Sequence, residues 1–213
     1  MSSSAFAALR RFAKPLQQPV LERCELCNLI LPPRHRHLLE MTTRQVACSC
    51  DPCALLFQNA VGAKFKSIPR DARALPDFQM TDAEWENLAL PIDLAFFFYS
   101  TPQEKMAAMY PSPAGPTESL LPLTSWETLV RQNPALQTME ADVEALLVNR
   151  SQGAREYFIA PMDACYELVG TIRMHWRGLS GGDAVWLEIE KFFAKLRAQS
   201  PVWKAPTPER NGA

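Results

Sequence analysis

A chain of 213 residues with 47% hydrophobic and 21% charged residues has the balance of an ordinary folded protein, enough for one good core or for a small domain beside a larger one. Its formal net charge of -1 supplies no global attraction to nucleic acid or anionic lipid, so nucleic acid is not expected as a partner. No apolar run approaches the roughly 20 residues of a membrane span. The basic start also lacks the continuous apolar stretch of an export signal, which points to a cytoplasmic protein.

Residues 1–20 form a basic segment with Phe6, Leu9 and Phe12 at helical spacing. They read as a flexible terminus, with a short docking helix as the alternative.

Residues 21–66 carry the strongest signal, because five of the six cysteines lie between positions 24 and 53. In a reducing compartment such a cluster serves as metal ligands or redox groups rather than disulfides. Cys24 and Cys27 form one C-x2-C turn, Cys50 and Cys53 another, and 22 residues separate them. Each turn brings two thiolates to one side of a tight loop, and two facing turns complete a tetrahedron of sulfur contacts about 2.3 Å long. "HLLEM" and "RQVAC" are apolar extended stretches around a turn-capable "TT", so a hairpin is expected between the two turns. "ALLFQNAVGAKF" then repeats with helical period, predicting a short helix rather than a third strand.

Zinc is the expected ion, with iron or an iron-sulfur cluster as the alternative, since these also take four thiolates. Haem attachment is disfavoured because Asn28, not a histidine, follows Cys27. Cys48 is a fifth thiol. It shares a strand face with position 50, so it either lies near the metal as a spare or replaces Cys50. His35 and His37 alternate with Arg34 and Arg36 in "PPRHRHL". Either histidine could stand in for a cysteine, while the segment as a whole makes a basic edge suited to an acidic partner.

Residues 67–200 read as a mixed α+β domain. It opens with a linker-like stretch, "SIPRDARALPDFQMTDAEWENLALP". "IDLAFFFYS" has the continuous apolar character of a buried central strand, and "EKMAAMYPS" reads as a second strand. "PSPAGPTES" is expected to be a loop rich in proline, which could offer Tyr110 and Glu118 to a partner as a preordered surface. "SWETLVRQNP" predicts a short helix capped by Ser125 and stopped by Pro134. "VEALLVNRSQGAREYFIAP" has the form of a hairpin. Two helices close the domain. The first is capped by Asp163 with Leu168, Ile172 and Trp176 on its apolar stripe. The second starts at Asp183 and buries Val185, Ile189, Phe192 and Leu196. Residues 201–213 are rich in proline and polar groups and read as a disordered tail.

Asp163, Cys165, Glu167, His175 and the Gly181-Gly182 pair complete no catalytic pattern. "GLSGG" lacks the lysine of a phosphate loop and reads as a turn between helices. Cys165 and His175 lie ten positions apart on one helix, about 15 Å along its axis, and both read as structural.

The blocks "CELC", "PPRHRHLLE", "CSCDPCALLF", "LAFFFYST", "YPSPAGPTES", "PMDACYELVG", "RMHWRGLSGG" and "VWLEIEKFF" resemble an uncharacterised bacterial family encoded beside actinobacterial-type, high-affinity nickel-iron hydrogenases. The resemblance implies an accessory that binds or assists assembly and maturation of an uptake hydrogenase, with a hydrogenase subunit or maturation factor as its protein partner. The four-cysteine module is also similar in ligand set to the rubredoxin-like accessories of hydrogenase clusters, so an electron-transfer protein serving the same enzyme is the second expectation. A non-catalytic role is the expected one.

Overall fold

In Leu94–Ser100 every side chain except Tyr99 is buried, so both faces of this strand are covered. A computed structural model describes residues 21–58, 63–119, 126–178 and 181–205. Residues 1–20, residues 59–62 of the expected helix, Ser125, residues 179–180 of the glycine-rich turn and residues 206–213 of the expected tail lie outside them.

The fold is mixed α+β, with two antiparallel sheets and, among the described residues, five α-helices. The N-terminal sheet has the order β2-β1-β3, with β1 at Arg36–Glu40, β2 at Val46–Ser49 and β3 at Phe65–Ser67. Helix α1, Asp51–Phe57, lies between β2 and β3 in the chain. The expected hairpin is therefore present, but the chain after Cys53 forms both a helix and a third strand. Phe65 pairs with Glu40 on the free side of β1, where an open strand edge leaves backbone groups to be satisfied.

The second sheet has six strands in the order β4-β9-β8-β5-β6-β7. Its strands are β4 (Arg73–Ala74), β5 (Leu94–Ser100), β6 (Lys105–Ser112), β7 (Gly115–Glu118), β8 (Glu144–Asn149) and β9 (Glu156–Pro161). Alternation sends Phe96, Phe98, Leu147 and Phe158 to one face, where they meet Leu168 and Ile172 of α4 (Met162–His175) and Val185, Ile189 and Phe193 of α5 (Gly182–Gln199). Ala95, Phe97, Leu146 and Ile159 take the other face. They pack against Trp85 of α2 (Asp82–Glu86), Leu129 of α3 (Trp126–Gln132) and Leu136 of the 3-10 turn Pro134–Thr138. Each fully buried Leu, Ile or Phe contributes on the order of 1.5–3 kcal/mol, so the two layers of helix are what make the sheet stable.

Several local expectations are corrected. The proline-rich loop is the β6–β7 hairpin: Pro111 and Pro116 face each other, so the two residues without an amide donor coincide at one rung. Gly115 adopts φ 121°, and the Ser112 hydroxyl donates to its carbonyl at 2.9 Å to close the turn. The linker-like stretch holds β4 and α2, and α2 starts at a capping box in which Thr81 and Glu84 bond each other's backbone amides. Asp163 is not the cap of α4. Pro161 holds that position and Asp163 sits in the first turn. Helix α5 begins at Gly182 rather than Asp183, preceded by Gly181 at φ 86°, where an added Cβ would lie 2.8 Å from Val185. Its stripe includes Phe193, fully buried, while Leu196 is only partly covered.

At the C-terminal side, Pro201 and Trp203 bond the amide and carbonyl of Ala74, each at 2.9 Å, laying Val202 parallel to β4. The N-terminal sheet is joined to the larger core through Leu39, with Met41 and Val46 packed beside it. Among the described residues, no helix is long and apolar enough to cross a membrane.

Candidate metal centre

The first C-x2-C turn is formed by backbone bonds. Arg23 bridges Ile30, the Cys24 amide donates to the Leu29 carbonyl at 2.8 Å, and the Asn28 amide donates to the Cys24 carbonyl at 2.7 Å. Asn28 makes the reversal at φ 64°, a left-handed conformation that asparagine tolerates. The second turn is the start of α1: Cys50 is its N-cap residue, and Pro52 occupies the first turn, where a missing amide costs no hydrogen bond. Glu25 clips the two parts together. Its amide donates to the Cys48 carbonyl at 2.9 Å, and its carboxylate accepts from the Cys48 amide at 2.8 Å.

These turns bring the sulfurs of Cys24, Cys27, Cys50 and Cys53 within 4.8 Å of one another. The Cys27 and Cys50 sulfurs are 3.7 Å apart, close to the edge of about 3.8 Å of a tetrahedron with 2.3 Å metal–sulfur bonds. Cys24, Cys50 and Cys53 are buried beside Leu31, whereas Cys27 is exposed. Burial opposes ionisation of Cys24, but the amides of Cys50, Leu26 and Cys27 outweigh it and bring the thiol down to about 6. Cys53 has no such donors, and burial together with the neighbouring sulfurs pushes it up to about 12. A cation here would displace protons from the group and gain four soft donors, so the set fits a metal ion.

Cys48 does not join this group. The β1–β2 register sets it directly opposite His37, and with His35 it makes a second group whose ligand atoms also lie within 4.8 Å of one another. The two imidazoles meet edge to face with centroids 4.8 Å apart. His37 Nδ1 lies 2.5 Å from Asp163 Oδ2, a partner that nothing local in the sequence reveals because the two are 126 positions apart.

The basic edge is already neutralised in part. Arg34 pairs with Asp71 and Arg36 with Asp51, each at 2.6 Å, and Arg70 also reaches Asp51 at 3.3 Å. Tyr110 is half-buried on β6 opposite Thr117, and Glu118 pairs with Lys105 at 2.7 Å. The basic edge and the Tyr110 hairpin thus belong to different sheets. Cys165 is fully enclosed, and burial pushes its thiol far up. Glu167 pairs with Lys195 at 3.2 Å, and His175 Nδ1 donates to the Thr171 carbonyl at 2.9 Å. Sequence reasoning missed the exposed apolar run Leu55, Leu56 and Phe57 on α1, which periodicity alone reads as a core stripe.

No curated protein and no solved structure matches the chain. The model of a family of unknown function, DUF5947, matches residues 23–200, and the chain belongs to that family.

Proposed function

We propose that this chain is a non-catalytic metal-binding accessory protein, in which a zinc ion held by Cys24, Cys27, Cys50 and Cys53 shapes a surface that binds a subunit or maturation factor of a nickel-iron uptake hydrogenase. The observation that carries the metal reading is the four-sulfur group with its 3.7 Å edge. Four thiolates fill a tetrahedral ion and leave no open position, which is the arrangement of a structural site. Next to it in the chain, α1 exposes Leu55, Leu56 and Phe57, and a run of large apolar side chains in water favours a protein partner. The hydrogenase rests on the resemblance of the sequence blocks.

Protein purified without oxygen should carry zinc in the four-cysteine site, and that species should be colourless. Capture from the native host should bring down a hydrogenase subunit or maturation factor. Absence of every hydrogenase component from that capture overturns the partner assignment.

A second reading has one observation in its favour. Cys27 is exposed, so an iron held by the same sulfurs would have a ligand at the surface through which an electron could pass. Thiolate-bound iron absorbs in the visible, and a coloured protein with bound iron would replace the structural reading with an electron-transfer one.

A further inference from the structure

The group formed by His35, His37 and Cys48 is built differently from the four cysteines. His35 Nδ1 lies 3.0 Å from the Pro32 carbonyl oxygen, and His37 Nδ1 lies 2.5 Å from an Asp163 carboxylate oxygen. Both partners only accept, so each Nδ1 is the donor, and a ring that carries no second proton presents a bare Nε2 lone pair. Those two Nε2 atoms face each other at 3.1 Å. Two lone pairs at that distance repel unless a cation lies between them. The separation is near the edge of about 3.3 Å expected for two imidazoles on a tetrahedral ion with bonds of roughly 2.0 Å.

We propose that His35 Nε2, His37 Nε2 and Cys48 Sγ form a second metal site, distinct from the four-cysteine site, for a borderline-soft divalent transition cation with three protein ligands and one open position. The register places Cys48 opposite His37, and its sulfur lies within 4.8 Å of a ring nitrogen of each histidine. Asp163 is the positioning residue: a carboxylate on the far nitrogen fixes the tautomer and the plane of a ligating histidine. The ligand set of two nitrogens and one thiolate suits zinc, cobalt or nickel rather than magnesium or calcium. Because Asp163 belongs to α4 and the ligands to the ribbon, the ion would also hold the two parts of the molecule together.

The competing occupant of the gap is a proton on one imidazole. The Asp163 carboxylate holds His37 above the usual imidazole range and so favours the proton. The two are separated by titrating the full chain, carrying zinc in its four-cysteine site, with cobalt at rising pH, where a metal ion gains on the proton. Wild type is expected to take up one equivalent of cobalt with absorption bands of a single thiolate ligand, while zinc content stays unchanged. His35→Gln and His37→Gln should abolish that uptake, and Asp163→Asn should weaken it 10- to 100-fold. Uptake of no cobalt by wild type overturns the proposal in favour of the proton, as does uptake unchanged in both glutamine variants. If a glutamine variant also released zinc, Asp163→Asn decides, since it touches neither C-x2-C turn, and undiminished cobalt affinity there overturns the site. Protein that binds cobalt as a four-thiolate species instead would reveal an empty first site, a separate failure read from its more intense charge-transfer bands.

Discussion

Arg44, at the turn of the ribbon hairpin, lies over the ring of Phe98 with its guanidinium carbon 4.2 Å from the ring centroid. The same side chain approaches Asp142, a carboxylate only 1% exposed, at 4.0 Å. Lys66 of β3 comes to the same carboxylate at 4.0 Å, and Thr101 donates to it from both amide and hydroxyl. The hairpin is thus fastened to the larger sheet at its turn, as well as to α4 through His37. Arg44→Ala is expected to lower stability by about 2 kcal/mol, combining a lost cation–ring contact with a buried carboxylate that keeps fewer positive neighbours. Urea denaturation measures the loss. A change within error would show that the turn is only resting on the core.

Cysteine variants separate ligands from bystanders. Cys24→Ser and Cys53→Ser should each release the first ion and loosen residues 24–58, because in small metal modules binding free energy is largely folding free energy. Cys48→Ser should retain it. Elemental analysis of the purified variants checks both statements, and an unchanged metal content in the Cys24 and Cys53 variants would remove these residues from the ligand set.

Chelation should act locally. Leu39 is fully buried within the larger hydrophobic core, and β5, β8 and β9 are covered on both faces by apolar side chains outside the four-cysteine group. Removing metal is expected to cost a minor share of the far-ultraviolet circular dichroism and to speed amide exchange in residues 22–34 and 48–58, with β5, β8 and β9 unchanged. One cooperative collapse of both sheets on chelation would contradict this.

Partner binding should depend more on α1 than on the arginine edge. Leu56 is 73% exposed, so Leu56→Asp can remove apolar contact without disturbing the core. It is expected to abolish co-purification of the partner while metal content and melting temperature stay at wild-type values. Arg34→Glu with Arg36→Glu should instead slow association and reduce its salt dependence, and it also breaks the pairs with Asp71 and Asp51. Tyr110→Ala tests the hairpin surface separately. Because Tyr110 is half-buried, its melting temperature must be read beside the capture.

Legibility in the sequence followed the range of the interactions. The strands around Phe96, Leu147 and Phe158 and the two last helices were readable because their apolar periods are continuous and local. The paired C-x2-C turns were readable because their spacing is itself the chemistry. β7 was missed because its prolines look like loop until they are seen opposite each other, and β4 because two residues carry no period. The capping box of α2 was there to be read in Thr81 and Glu84 but was hidden by proline-rich surroundings. No local signal could assign Asp163 to His37 or separate Cys48 from its neighbours. Those facts are set by strand register and by packing across 126 positions.

The two outermost strands of the larger sheet have a shared consequence for how this protein behaves at high concentration. β7 is four residues long and carries Pro116, and β4 is two residues long with Val202 laid along it. An exposed strand edge is a template on which another chain can add, and shortness, proline and a covering segment each blunt it. Between them, these ends leave the sheet little on which a second molecule could grow a ladder, so crowded chains have scant means of zipping into fibrils along it.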